Sequence, residues 1–134
     1  MRKIHLWIGV LTVLAFIGTG HYMAHHQPPV VELNNDMRLM LRSRHIYILG
    51  SGLVNLMLGL YLAREPGWRG VIQSIGSGLV AVAPVLLVLA FATEPDQGFR
   101  ADLPRSAFGQ FALFGGCMLH AVARLARSGR EMRP

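Results

Sequence analysis

The sequence predicts an all-α integral membrane protein, a bundle of four transmembrane helices, and three observations predict it. Of the 134 residues, 52% are hydrophobic and only 15% are charged, where an ordinary soluble domain carries about 25% charge. Mean hydropathy is +0.40. The charges are also unevenly spread: residues 4–31, 45–63, 70–93 and 106–123 contain no Asp, Glu, Lys or Arg. A small soluble domain has too much surface to cover with so few charges, so the composition excludes a soluble globular enzyme and a disordered tail. The composition also argues against a nucleic-acid partner, because the basic residues lie scattered between apolar runs instead of gathering on one face. The length suits one domain, residues 1–134.

A hydrocarbon core about 30 Å thick takes about 20 helical residues, which places the spans at about 4–23, 46–63, 70–92 and 106–124. The runs are too long for barrel strands and lack alternation. Met1-Arg2-Lys3 before an apolar stretch also fits a signal peptide, with Gly18-Thr19-Gly20 as a cleavage site. The apolar stretch continues past a normal signal core, so it is read as a retained first span. Between spans one and two lies the long loop 24–44. His25-His26-Gln27-Pro28-Pro29 breaks the helix, and Asn34-Asn35-Asp36 offers an N-cap. From Met37 a short interfacial helix is expected, with Arg38, Arg42 and Arg44 among lipid headgroups. Pro84 inside span three is tolerated in a membrane as a kink. The glycines of Gly52-x3-Leu56-x2-Gly59 and of Gly76-Ser77-Gly78 should lie at helix contacts.

Eight of the 13 Lys and Arg residues flank one side: Arg2, Lys3, Arg64, Arg69, Arg124, Arg127, Arg130 and Arg133. The first and third loops carry the rest (Arg38, Arg42, Arg44, Arg100, Arg105) together with five of the seven acids. The positive-inside rule then puts both termini in the cytoplasm, N-in and C-in, in a multi-pass inner (plasma) membrane protein. The lone cysteine, Cys117, permits no intramolecular disulfide.

The spans lack any central acid or base, which argues against proton-coupled antiport. No paired carboxylates, Walker loop, nucleophile elbow or His-Glu-x-x-His motif is present, so hydrolysis is a poor fit and no catalytic residue is assigned. Histidine remains. His5 opens span one and His120 closes span four, at the same depth; His21 and His45 share the opposite depth. Level imidazoles on antiparallel helices are the geometry of a bis-histidine haem site. His5 and His21 lie about 160° apart around the helix and about 24 Å apart along it, so a straight helix cannot aim both at one axis. The His5 face continues through Gly9, Thr12, Phe16 and Thr19; the His120 face runs back through Cys117, Gly116, Leu113 and Gly109. Small residues mark the packed side of membrane helices. Gly9 and Gly116, each one turn deeper than its histidine, should let a macrocycle approach the backbone. Gln73, Ser74 and Ser77 begin span three at this depth, placed to bond propionates or a quinone carbonyl, and Arg69 and Arg124 to offset propionate charge. A separate outer cluster, His21, His25 and His45 with His26, Met23, Met37 and Met40, has donors that suit a copper-like ion, although interfacial solvation accounts for it as well. Asn55 reads as an interhelical hydrogen-bonding residue.

Ile4-His5-Leu6-Trp7-Ile8-Gly9, followed by Thr19-Gly20, resembles the first helix of PepSY-type membrane proteins and related small b-type cytochromes. The resemblance covers one helix of four and implies that His5 ligates haem; it carries nothing about His120. The expected function is b-type haem binding for electron transfer, with quinone or a membrane reductase as partner. Two readings stand beside it: a non-catalytic accessory subunit packing through its glycine faces against a larger complex, and a small oligomeric channel or transporter. Either makes the chain part of a homo- or hetero-oligomer.

Overall fold

A computed structural model describes residues 1–94 and 104–131, with side chains for 1–94 and 105–125. Arg100, Asp96, Asp102 and Arg133, and the side chains of Arg127 and Arg130, which entered the charge count, lie outside the described residues. The chain forms four helices, α1 (Arg2–Ala24), α2 (Asn35–Tyr61), α3 (Trp68–Thr93) and α4 (Pro104–Glu131), with a 3-10 turn at Val30–Glu32. No strand occurs among the described residues. Three helices are long and apolar enough to cross a membrane: α1, α3 and the Arg105–Leu125 part of α4.

The second helix differs from its expectation. It begins at Asn35, capped by the Asn34 carboxamide oxygen, which accepts from the Met37 N–H at 2.8 Å. It then runs without interruption to Tyr61, so the expected interfacial helix is simply its first turns. Those turns do not all face headgroups, because Met40, Leu41 and Arg44 are buried in protein. The loop 62–67 turns into α3 at Gly67, whose φ of 64° is a left-handed value that favours glycine. Pro84 sits within an unbroken α3.

Neighbouring helices run antiparallel. α1 packs along α2 and α3 along α4; α2 and α3 join the two pairs, whereas α1 and α4 share no comparable seam. Glycines set the two tight seams. A Cβ at Gly9 would lie 2.7 Å from Leu56 Cγ, and one at Gly59 would lie 2.8 Å from the Leu6 backbone nitrogen. Across α3–α4, a Cβ at Gly116 would meet Val80 at 2.6 Å and the Gly76 carbonyl at 2.7 Å. Such separations exclude a side chain, so these glycines allow close backbone approach. Gly78 faces open space and takes no part. The outward surfaces of α1, α3 and α4 expose Trp7, Leu11, Ile17, Val85, Phe111 and Met118, more apolar area than a soluble monomer presents.

Two apolar clusters fill the interior. Val80, Ala83, Ala112 and Leu113 bind α3 to α4. Val30, Leu41, Ile48, Leu87 and Phe91 gather the first loop, α2 and α3 at the opposite end. The end of the bundle that carries the start of α1 is the termini end, and the opposite one, with the first loop, is the loop end.

Candidate functional site

At the termini end, polar side chains from all four helices meet inside apolar packing. Asn55, fully buried on α2, donates from Nδ2 to the Ser51 carbonyl (2.9 Å) and, across to α3, to the Val80 carbonyl (3.0 Å). Its Oδ1 is therefore the acceptor for Nδ1–H of His5 at 2.8 Å. That bond selects the tautomer of His5 and leaves the Nε2 lone pair uncommitted. Three residues before Val80 on α3, Ser77 pairs with Nε2 of His120 at 3.2 Å. Through Asn55, His5 is linked to the Val80 carbonyl, about one helical turn along α3 from the Ser77 that meets His120. Thus two imidazoles converge from α1 and α4, the two helices that lack a packed seam, and Asn55 and Ser77 orient them from α2 and α3.

The remaining residues expected at this depth are used otherwise. Gly9 and Gly116 border Leu56, Val80 and Gly76, so the space beside them is filled by neighbouring helices and is not left for a macrocycle. Gln73 is buried and spends its side chain on the α2–α3 loop, donating to the Ala63 carbonyl (2.8 Å) and accepting from the Glu65 N–H (3.0 Å). Ser74 donates to the Gly70 carbonyl at 2.8 Å, a bond within its own helix. Arg124 reaches Glu65 at 3.8 Å, so its charge faces a carboxylate of the same chain.

The outer histidines divide. His21 and His25 lie with ring centroids 4.2 Å apart, whereas His45 pairs with the Thr19 hydroxyl at 2.9 Å and stacks on Phe16 at 4.0 Å. No group of three His, Cys, Asp or Glu side chains able to hold a metal ion occurs among the described residues. What the sequence reading missed at this end is an ion pair. Arg44 Nη2 meets Glu94 Oε2 at 2.8 Å with both side chains buried. The other carboxylate oxygen, Oε1, accepts from the backbone N–H groups of Arg105 (3.0 Å) and Ser106 (3.3 Å). Glu94 thereby ties α2 to α3 and caps the first turn of α4, where unpaired N–H groups and the helix dipole favour an anion. Burial outweighs the Glu94 carboxylate and lowers the Arg44 pKa from its ordinary value. The pairing links positions 50 residues apart, and no local pattern announces it.

No family model, curated protein or solved structure matches the chain.

Proposed function

We propose that the chain is a four-span membrane protein, N-in and C-in, that binds b-type haem between His5 and His120 and transfers electrons within the inner membrane. The observation that supports this most is the convergence of two imidazoles, at one level, from the two helices without a packed seam. The donor set suits the group. Imidazole nitrogen is a strong axial ligand, and a second hydrogen bond on the far ring nitrogen, as Asn55 makes to His5, fixes ring orientation and raises ligand basicity. His120 would hold the haem iron through the ring nitrogen that meets the Ser77 hydroxyl. Bound haem supplies a one-electron couple. The chain's own residues do the rest: Asn55 holds the His5 proton on Nδ1, and the apolar helices keep water away. Quinone or a membrane reductase is the electron partner. Crossing by α2 is supported by its packing along α1 and α3, and Arg44, Ser51 and Asn55, polar residues of its C-terminal two thirds, are buried in protein.

The test is the visible spectrum of purified protein, oxidised and then reduced, before and after addition of haem. A shifted Soret band and a sharpened α band on reduction are expected. His5→Ala and His120→Ala should each abolish them while helix content and membrane insertion persist, and His45→Ala should leave them intact. A colourless protein that takes up no haem overturns the reading and puts the accessory-subunit alternative first. Reporter fusions at the C-terminus and at Asn34 should report opposite sides of the membrane.

A further inference from the structure

The termini end carries a recess of about 370 Å³ where the start of α1 meets the loop that leaves α2. That volume falls within the range of small-molecule sites. Arg2, Lys3, Leu62, Arg64 and Gln73 line it, and no Asp or Glu does so among the described residues. The three cations are exposed and form no salt bridge among the described residues. Glu65, next to Arg64 in the chain, is buried and faces Arg124. Like charges gathered in this way repel one another, and an anion seated among them offsets that cost. Two features hold the cations in place. Arg2 donates from Nε to the Gly59 carbonyl at 3.3 Å and from Nη2 to the Leu60 carbonyl at 2.5 Å. Its guanidinium is thereby fixed beside the last turn of α2, and Nη1 is left for another acceptor. Gln73, through its bonds to the Ala63 carbonyl and the Glu65 N–H, grips the chain on both sides of Arg64. Groups fixed before a ligand arrives lose less affinity to ordering. The surroundings are those of a membrane boundary. Arg2, Lys3 and Arg64 flank the uncharged runs 4–31 and 45–63. Tyr61 and Trp68 are exposed on either side of the loop, as aromatic residues are where hydrocarbon gives way to headgroups. Ile4, Trp7 and Leu60 are exposed as well, so apolar surface adjoins the cations.

We infer that this recess binds the phosphate of an anionic phospholipid, its headgroup held by Arg2, Lys3 and Arg64 and its acyl chains lying on the apolar faces of α1 and α2. Charge selects the headgroup, because a zwitterionic lipid brings an ammonium group to a space with no acid to receive it. The adjoining apolar surface selects lipid over free phosphate, which has no use for it. His5 and His120 take no part, so the site is independent of the haem reading and needs only that the helices lie in a bilayer.

The experiment places the full chain in phosphatidylcholine nanodiscs with rising fractions of phosphatidylglycerol whose acyl chains are brominated and quench nearby tryptophan. Trp7 and Trp68 are the two tryptophans of the chain, and both lie toward this end. Quenching should exceed the share set by mole fraction and saturate while phosphatidylglycerol is still the minor lipid. Lys3→Gln and Arg64→Gln should each weaken that preference about fivefold with helix content unchanged, since both side chains are exposed. Arg42→Gln removes an exposed charge at the loop end and should leave the preference as it is. His5→Ala should do the same, which separates this result from the haem test. Inorganic phosphate in large excess, at constant ionic strength, should not displace the lipid. Quenching in simple proportion to mole fraction, parental preference in both Lys3→Gln and Arg64→Gln, an equal loss in Arg42→Gln, or displacement by phosphate each overturns the proposal; the last leaves an oxyanion site that takes no lipid.

Discussion

At the termini end the four helices meet through neutral groups, His5, Asn55, Ser77 and His120. At the loop end they meet through a charged pair, Arg44 and Glu94, and a carboxylate bonded to the N-terminus of α4. The two arrangements link different partners. The neutral network joins side chains within the uncharged runs, where an ion is expensive. The ionic clamp sits where those runs end, close to the polar boundary, and recovers part of its desolvation cost from two backbone donors. A neutral network leaves a ring nitrogen free for a ligand. A clamp whose carboxylate faces a guanidinium with one oxygen and two backbone donors with the other is suited to holding helices.

The largest effect should come from breaking the clamp on one side. Glu94→Ala leaves the Arg44 guanidinium buried without its carboxylate and should cost about 3–5 kcal/mol, read as a fall in unfolding temperature in detergent. Replacing Arg44 and Glu94 together by Leu should be much milder than Glu94→Ala alone. Equal losses in the single and double variants would mean that the pair contributes nothing as a pair.

Asn55→Leu removes three hydrogen bonds from the neutral network, yet each is neutral, so about 1–3 kcal/mol is expected. Its particular signature is spectral: with His5 no longer oriented, bound haem should be weakened or lost, whereas Glu94→Ala should leave the spectrum of the surviving folded fraction unchanged. Gly116→Ala probes the α3–α4 seam, where the added Cβ meets Val80 and the Gly76 carbonyl, and should cost about 1–3 kcal/mol. His45→Phe keeps the stack on Phe16 and loses one hydrogen bond to Thr19, for about 1 kcal/mol. Smallest of all, Gly78→Ala faces open space and should stay within about 0.5 kcal/mol of the parent. A large loss there would place Gly78 in a contact the monomer does not make, and so point to a second copy or another subunit.

Much of the fold was legible because its signals are local. Uncharged runs of helical length marked α1, α3 and α4, and the Asn34 cap was visible as a residue type before an apolar pattern. The 100° period put His5, Gly9 and Thr12 on one face, and these are the residues α1 buries. Asn55, polar amid an apolar run, was readable as an interhelical hydrogen bonder. By contrast, Gln73 and Ser74 looked like ligand groups because their depth was right, but depth does not reveal that loop 62–67 and the preceding helical turn consume their hydrogen bonds. Arg44 resembled its neighbours Arg38 and Arg42, and only its burial against Glu94 distinguishes it.

By itself the sequence determined the helical class, the apolar lengths of three helices and the face each histidine occupies, since these follow from hydrophobicity and a helix's own period. Tertiary structure alone decided what each face meets: that Gly9 and Gly116 are filled by Leu56 and Val80, that Arg44 finds Glu94, and that α1 and α4 close no seam between His5 and His120. A helical period fixes direction around one axis. Which neighbour stands in that direction depends on the order, tilt and separation of the other axes, and those are set by all the contacts at once.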